Sequence, residues 1–526
     1  MALTSGSLCV LGSLLFLSTF QWKLTEGGEL LVVPVDGSHW LNLKTLMDEL
    51  GRRGHNVVVV IPEINLKMGP SPHYTTRVFP VPYSKDELYS LKPDVCTNMS
   101  LIERLRTGFE KTSSLRQLLM KTCESLLYNK ELMQELVERK FDALLTDPFV
   151  PCGAIIAEYL SLPTINLLRG LPCGLDSLAT QCPRPLSYVP RIFTRNTDRM
   201  TFLQRTKNVL VGLLDPLLCW FIYSPFEELA QRFLQRDVTL VQLLSNASIW
   251  LMRYDFTFES PRPLMPNMVL VGGINCKERK PLQQEFEEFV NSSGEHGVVI
   301  FSFGSMVSEV PREIANRIAA ALGRIPQKVL WRYTGDPPET LAPNTKLLEW
   351  LPQNDLLGHP KARAFLTHGG MNGLYEAICS GVPSVMIPLF GDQGYNVVQM
   401  VNRGAGVELD IEQMSSDDLV NALNMVINDT RYREAMMTLS SLHKDHSLHP
   451  LDLSVHWVEF VMRHKGAGHL RPAAHELNWI QYHSLDVIGV LLVTVLLSVW
   501  MLAKCCWYCC RRCFCGTRSQ RKRKPD

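Results

Sequence analysis

Between Ala362 and Ser380 an apolar, β-prone run, Ala362–Thr367, is broken by His368-Gly369-Gly370 and followed from Asn372 to Ser380 by apolar residues at helical spacing. This pattern commits the chain to a strand that passes into a helix through a glycine turn. Such a junction leaves backbone N–H groups without intrahelical partners at the positive end of the helix dipole, so the turn through Gly370, Asn372 and Gly373 suits a diphosphate. Flanking residues suit the rest of a uridine diphosphate sugar. Trp350 offers a stacking face for a flat base, and Gln353 carries a donor and an acceptor for the edge of uracil. Glu376, one turn into the helix, can accept from ribose hydroxyls. Asp392-Gln393 follow the apolar run Pro383–Leu389, as groups do at the carboxyl end of a parallel strand where open α/β sheets bind ligands, and they can hold the hydroxyls of a sugar.

The same strand, helix, strand alternation occurs twice along the chain. Leu30–Val35, the helical Leu41–Arg53 and Asn56–Ile61 open one α/β unit, and Ala143–Leu145 is a later strand ending at Asp147. Val298–Phe303, Arg312–Leu322, Lys328–Arg332 and the glycine-turn segment build a second, with Pro261–Asn275 as the expected linker. At 526 residues, 46% hydrophobic and 20% charged, the chain is long and apolar enough for two domains with sizeable cores. A formal net charge of +1 gives no reason to expect a nucleic-acid partner.

The ends carry targeting signals. Residues 1–27 hold an apolar core, Leu8–Phe20, too short to span a bilayer comfortably, and read as a cleaved secretory signal; an N-terminal anchor is the alternative, since no Lys or Arg precedes that core. Val487–Ala503 is free of charge and, extended into the cysteines that follow, reaches the roughly 20 residues a transmembrane helix needs. Arg511, Arg512, Arg518, Arg521, Lys522, Arg523 and Lys524 come after it, which places the tail in the cytosol by the positive-inside rule. The terminal KRKPD sets Lys522 and Lys524 where a dilysine retrieval signal of endoplasmic reticulum membrane proteins would have them, and a basic cluster meeting anionic lipid is the plainer alternative. Cys505–Cys515 holds six of the fifteen cysteines, palmitoylation candidates more than a zinc site because no His stands nearby. Cys96, Cys123, Cys152, Cys173, Cys182, Cys219, Cys276 and Cys379 can form disulfides in an oxidising lumen, but their spacing assigns no pairs. The sequons at Asn98, Asn246, Asn291 and Asn428 fit that compartment, with Asn246 and Asn428 bordering apolar runs.

Over its whole length, WLPQNDLLGHPKARAFLTHGGMNGLYEAICSGVPSVMIPLFGDQGYNVVQ (350–399) resembles the motif of the UDP-glycosyltransferase superfamily. MPNMVLVGGINC (265–276), FSFGSMVSEV (301–310), TDPFVPCGAI (146–155) and WVEFVMRHKGAGHLRPAAHELNWIQYHSLDVIG (457–489) narrow the resemblance to vertebrate UDP-glucuronosyltransferases of the first family. It covers nearly the whole chain. The fold it implies is GT-B, α/β with two facing Rossmann-like domains and a C-terminal transmembrane helix. The expected division is a signal peptide at 1–27, an acceptor-binding domain at 28–275, a UDP-sugar-binding domain at 276–450, helices at 451–486 returning toward the N-terminal domain and the membrane, a span at 487–505 and a basic cytosolic tail at 506–526.

By position alone His39, in a loop after the first strand, is more often structural than catalytic; the resemblance makes it the general base, with Asp147 orienting its imidazole. Asp147 also reads as a helix N-cap with Pro148 at the first helical position. The implied reaction is a single inverting displacement in which an acceptor oxygen attacks the anomeric carbon of UDP-glucuronate. The leaving diphosphate would be held by the 369–373 amides, His368, Ser302 and Ser305, although both serines suit turn roles and His368 can simply pack. No metal and no cofactor beyond the UDP-glucuronate co-substrate is expected. Arg253 occupies a position that lies near the donor site in the family and can meet a glucuronate carboxylate or form an ordinary ion pair.

Two departures stand out. Relatives commonly carry an Asp-Asn pair where this chain has Tyr395-Asn396, and the THGGMNG loop is closer to the second family. Tyr395 therefore leaves open a donor other than UDP-glucuronate, namely another UDP-hexose, or a non-catalytic homologue modulating an active partner. Acceptor choice is expected in Val78–Phe109 and Leu167–Leu186, where Phe79, Tyr83, Tyr89 and Phe109 are candidates for an apolar pocket or ordinary core. Such a pocket suits lipophilic phenols, steroids, bilirubin-like pigments and xenobiotics. The other expected partners are the ER membrane and a homo- or hetero-oligomeric copy.

Overall fold

The computed structural model describes residues 27–91 and 100–516. Residues 1–26 of the expected signal peptide, Cys96, Asn98 and the Lys522/Lys524 pair lie outside them. One compact unit runs to Leu470 and a second begins at Arg471.

Seven parallel strands form the first sheet: β1 (Glu29–Val33), β2 (Asn56–Pro62), β3 (Thr75–Phe79), β4 (Ala143–Thr146), β5 (Thr164–Leu168), β6 (Ile249–Met252) and β7 (Met268–Leu270), in the order 3-2-1-4-5-6-7. The short β7 lies inside the expected linker 261–275. It pairs with β6, Trp250 opposite Met268, and three edge residues are too few to show any period in the sequence. Alternate residues of each strand face opposite helical layers, so both faces of the sheet are buried. Leu30 and Val32 meet Trp40, Leu43, Leu46 and Leu50 of α1 (Ser38–Arg52) on one face. On the other, Leu31 and Val33 share a core with α2 (Leu101–Leu127), α3 (Cys152–Leu160) and α4 (Phe202–Leu234).

The second sheet has six parallel strands, β8 (Val298–Ser302), β9 (Lys328–Arg332), β10 (Thr345–Leu348), β11 (Ala362–Thr367), β12 (Ser384–Met386) and β13 (Gly406–Glu408), in the order 10-9-8-11-12-13. β11 passes into α5 (Met371–Ser380), and β12 is followed by α6 (Gln393–Asn402). After this domain the chain crosses back. α7 (Pro450–His464) buries Val455, Val458 and Val461 in the layer that α1 makes on the first sheet.

α4 was not evident in the sequence. Its 33 residues include Pro216 and Pro225, and its hydrophobicity shows almost no helical period. Tyr223, Phe226 and Leu229 are core, whereas Leu210, Leu213, Leu217 and Trp220 are exposed. In the second unit α8 (Leu485–Gly516) is a single helix, long and apolar enough to cross a membrane over Leu485–Cys513. The expected span 487–505 is part of this longer element, which also carries Cys505 to Cys513, Arg511 and Arg512, because no proline interrupts it.

Each sheet reverses its winding once, between β1 and β4 and between β8 and β11. Ligands of open α/β sheets bind beyond the carboxyl ends of the strands at such switch points. Both switch points open into one cleft of about 1010 Å³ between the two sheets.

Candidate active site

At the first switch point β1 leads through Gly37, at φ +78°, directly into α1. That left-handed turn suits glycine, and it places His39 on the first turn of the helix and not in a loop. β4 lies beside β1, with Val33 opposite Thr146, so Asp147, the residue after β4, comes up behind the imidazole. His39 Nδ1 and Asp147 Oδ2 are 2.6 Å apart, the histidine side chain 30% exposed and the aspartate 2%. Asp147 Oδ1 accepts from the Phe149 N–H at 3.0 Å. The expected competition between capping and orienting is thus resolved by one oxygen for each. The helix that follows starts only at Cys152, so Pro148 is not its first residue. Burial raises the Asp147 carboxyl, and the facing His39 and Arg253 charges with the Phe149 N–H outweigh it and hold the group below its ordinary value.

At the second switch point α5 begins at Met371 with Gly370 as its cap and no side chain on its first N–H groups. The His368 ring is clasped by two glycines: a Cβ on Gly304 or on Gly370 would lie 2.5 Å from it. Burial, with the Arg332 charge, brings this imidazole down to about 4, so it is neutral at pH 7 and offers an N–H, not a positive charge. Ser302 Oγ accepts from the Gly304 N–H at 3.1 Å, a turn role that leaves its O–H available. Ser305 is half-buried on the cleft wall. Trp350 is 55% exposed, with the Arg332 guanidinium 5.4 Å and the Lys67 ammonium 5.3 Å from its ring centre. A core tryptophan would not be so open.

Gln353 and Glu376, expected to read base and ribose separately, are joined: Gln353 Nε2 donates to Glu376 Oε2 at 2.6 Å. Burial pushes the Glu376 carboxyl up to about 7. Gly373 lets this pair approach the helix, since a Cβ there would stand 3.2 Å from Phe365 and 3.4 Å from Gln353 Nε2. Asn372 Nδ2 donates to the Ser38 carbonyl at 3.4 Å, beside His39 in the facing domain. Gln393 Oε1 accepts from the Leu389 and Phe390 N–H groups, so its carbonyl shapes its own loop and only the amide NH₂ is open to a sugar. Arg253, just past β6, is buried, and its Nε has no hydrogen-bond partner among the described residues. All the expected site residues except Asp147 line the cleft, and Asp147 sits behind His39.

The sequence pattern described as UDP-glucoronosyl and UDP-glucosyl transferase matches residues 28–521. This chain belongs to that family. It is 55% identical over 525 residues to UDP-glucuronosyltransferase 1A1 of Mus musculus, covering 97% of this chain and 96% of the relative. The human 1A1 enzyme is 54% identical over 96% of this chain and 94% of its own length, and human 1A6 is 54% identical over 94% and 93%. Among solved structures, the spinosyn forosaminyltransferase SpnP superposes with a TM-score of 0.56 at 18% identity, over 82% of this chain and 99% of its own. The glycotransferase of kitacinnamycin gives 0.53 at 16%, over 83% and 99%. These likenesses show the GT-B fold.

Two arginines of this family member had no sequence signal. Arg332, at the end of β9, donates to the Gly304 and Val307 carbonyls and fixes the turn against His368. Arg169, just past β5, reaches Asp392 across the cleft. Both follow apolar strands, where an arginine in sequence is indistinguishable from a surface residue. The apolar side of the cleft differs in part from expectation. Phe79 and Tyr83 are buried away from the cleft, and exposed Phe109 stacks on Phe221 at 4.9 Å. Tyr89 is exposed and lines no part of the cleft. Leu88 and Leu171, from the two expected stretches, do line the cleft, and Leu115, Leu118 and Leu119 of α2 with Phe149 and Phe193 join them. Three disulfides that spacing had not assigned, Cys123–Cys152, Cys173–Cys219 and Cys276–Cys379, tie this scaffold, and Cys182 is a buried thiol. Asn246, Asn291 and Asn428 are all exposed, so the apolar runs beside two of them do not bury them.

Proposed function

We propose that this protein transfers glucuronate from UDP-glucuronate to hydroxyl groups of lipophilic small molecules, with inversion at the anomeric carbon. The observation that carries the reading is the His39–Asp147 pair at 2.6 Å, facing the uncapped amino end of α5 across one cleft. Asp147 holds Nδ1, which leaves Nε2 to take the acceptor proton as the oxygen attacks C1 from the side opposite UDP. The aspartate remains ionised and stabilises the imidazolium that forms. On the donor side Trp350 stacks on uracil, and the Gln353–Glu376 pair opens to meet base and ribose. The α5 N–H groups, the neutral His368 and the serine hydroxyls receive the developing charge on the leaving diphosphate. Metal or cofactor ligation has no step assigned to it in this scheme.

Glucuronate over a neutral hexose is supported by Arg253, a buried guanidinium with an unpartnered Nε near the sugar subsite, which a carboxylate would satisfy. The wall of Leu115, Leu118, Leu119 and Phe193 fits phenols, steroids, bilirubin-like pigments and xenobiotics. We place the protein in the endoplasmic reticulum membrane as a type I protein, α8 crossing the bilayer, the catalytic part lumenal and the basic tail cytosolic. Transfer from UDP-glucuronate to a fluorescent phenol in microsomes, run beside UDP-glucose at one fixed acceptor, tests the reading. Product from UDP-glucuronate in wild type and about 10²–10⁴-fold less in His39→Ala is expected, and equal or greater turnover with UDP-glucose would overturn the donor assignment.

A further inference from the structure

Arg169 uses all three nitrogens of its guanidinium, each on a different residue. Nε donates to Asp392 Oδ2 at 2.8 Å, Nη2 donates to Asn396 Oδ1 at 2.6 Å, and Nη1 forms an ion pair with Glu259 Oε1 at 2.6 Å. The arginine belongs to the first sheet, Asp392 and Asn396 belong to α6 and its start in the second domain, and Glu259 lies in the segment between them. Asn396 Nδ2 adds a second bond to the same Asp392 oxygen at 3.0 Å and one to the Gly369 carbonyl. Oδ2 of Asp392 therefore has two donors and Oδ1 none among the described residues, and the side chain, 33% exposed, belongs to a residue that lines the cleft. Behind the arginine, Tyr395 is 6% exposed, donates its hydroxyl to Glu259 Oε2 at 2.9 Å and lays its ring 5.8 Å from the guanidinium.

We infer that Arg169 is the residue that positions Asp392 for the donor sugar, completing the sugar subsite from the opposite domain, and that Tyr395 braces it through Glu259. This rests on the glycosyl-transfer reading given above. A planar fork meets two hydrogen-bond acceptors and an ion-pair partner at once, and a lysine cannot. Two charge-assisted bonds fix one oxygen of Asp392 and direct the other at the sugar hydroxyls. Tyr395, which also lines the cleft, then acts on the sugar subsite through Glu259 and Arg169. An aspartate at this position would remove the donor to Glu259 and set a second carboxylate next to it, competing for Arg169.

The test is binding of UDP-glucuronate and of UDP, by calorimetry on the full-length protein in detergent, for wild type, Arg169→Gln, Tyr395→Asp and Asp392→Asn. UDP lacks the sugar, so a positioning role predicts UDP affinity unchanged in Arg169→Gln and UDP-glucuronate weakened about 10- to 100-fold, the span of lost charge-assisted bonds. Arg169→Gln should add little in the Asp392→Asn background, since both remove the same interaction. Tyr395→Asp should weaken the donor and not strengthen it. Equal loss of UDP and UDP-glucuronate in Arg169→Gln would show that the arginine only holds the domains together, and tighter donor binding in Tyr395→Asp would overturn the brace. Because the readout is a ratio of two affinities, it stands apart from turnover: wild type that binds UDP-glucuronate but transfers nothing would sink the proposed function and leave this inference decided by the binding arms.

Discussion

The two sheets of this protein share a parallel topology and a switch point, yet they use that position differently. In the N-terminal domain the switch point holds two side chains, His39 and Asp147, locked to each other at 2.6 Å by adjacent strands. In the C-terminal domain it holds mainly backbone, the amino end of α5 and the glycines packed on His368. Proton transfer needs a titratable group held at one angle, whereas a diphosphate needs several donors converging on it, which a helix terminus supplies without titrating. On the proposed reading one architecture serves as base holder in one copy and anion cradle in the other, and a variant should then damage only the half it belongs to.

The largest expected effect is on the first half. His39→Ala should lower transfer by about 10²–10⁴-fold, the usual contribution of a general base, with UDP affinity measured by calorimetry unchanged. A parallel loss of UDP binding would mean that the two halves are not separable. Asp147→Asn keeps the base and loses its orienting charge; turnover should fall within the same range of about 10²–10⁴-fold, more steeply than any change in acceptor KM.

Trp350→Ala probes the other half. UDP should bind more weakly by about 1–3 kcal/mol, the worth of a base stacked on an aromatic ring, while turnover at saturating donor stays near wild type. Unaltered UDP affinity would remove Trp350 from the site despite its exposure.

The smallest effect is a pH dependence confined to the donor half. Burial holds the Glu376 carboxyl at about 7, so it is largely protonated below that pH and charged above it. A charged carboxylate accepts ribose hydroxyls more strongly, so UDP affinity should rise from pH 6 to pH 8. UDP itself titrates nearby, and the informative quantity is the difference from Glu376→Gln, which should lose the protein's share of that slope. Identical profiles for both proteins would assign the titration to the ligand alone. By linkage the same raised carboxyl contributes stability below its unfolded value near 4.5 that is lost as pH rises through 7.

Much of this was legible before any coordinates. Periodicity located β11, the helix after it and the strands around His39 and Asp147 to within a residue or two, because each is a long apolar run bounded by glycine or a charged residue. The residues proposed for the donor side are nearly contiguous in sequence, between Trp350 and Gln393, and they line one cleft. α4 escaped because its apolar residues surround the helix instead of forming a stripe, and β7 because three edge residues carry no period.

What the sequence determined by itself is local: the glycine turn, the helix amino end behind it, the flat Trp350 and the apolar C-terminal helix all follow from neighbours along the chain. Only the tertiary structure decided which distant residues meet. His39 and Asp147 are 108 positions apart and become a pair because β1 and β4 are neighbours in the sheet. Arg169 and Asp392, 223 positions apart, become a pair because the two domains face one another. A hydrogen bond depends on angstroms between side chains, and in a parallel sheet that spacing is set by strand order, which no periodicity encodes.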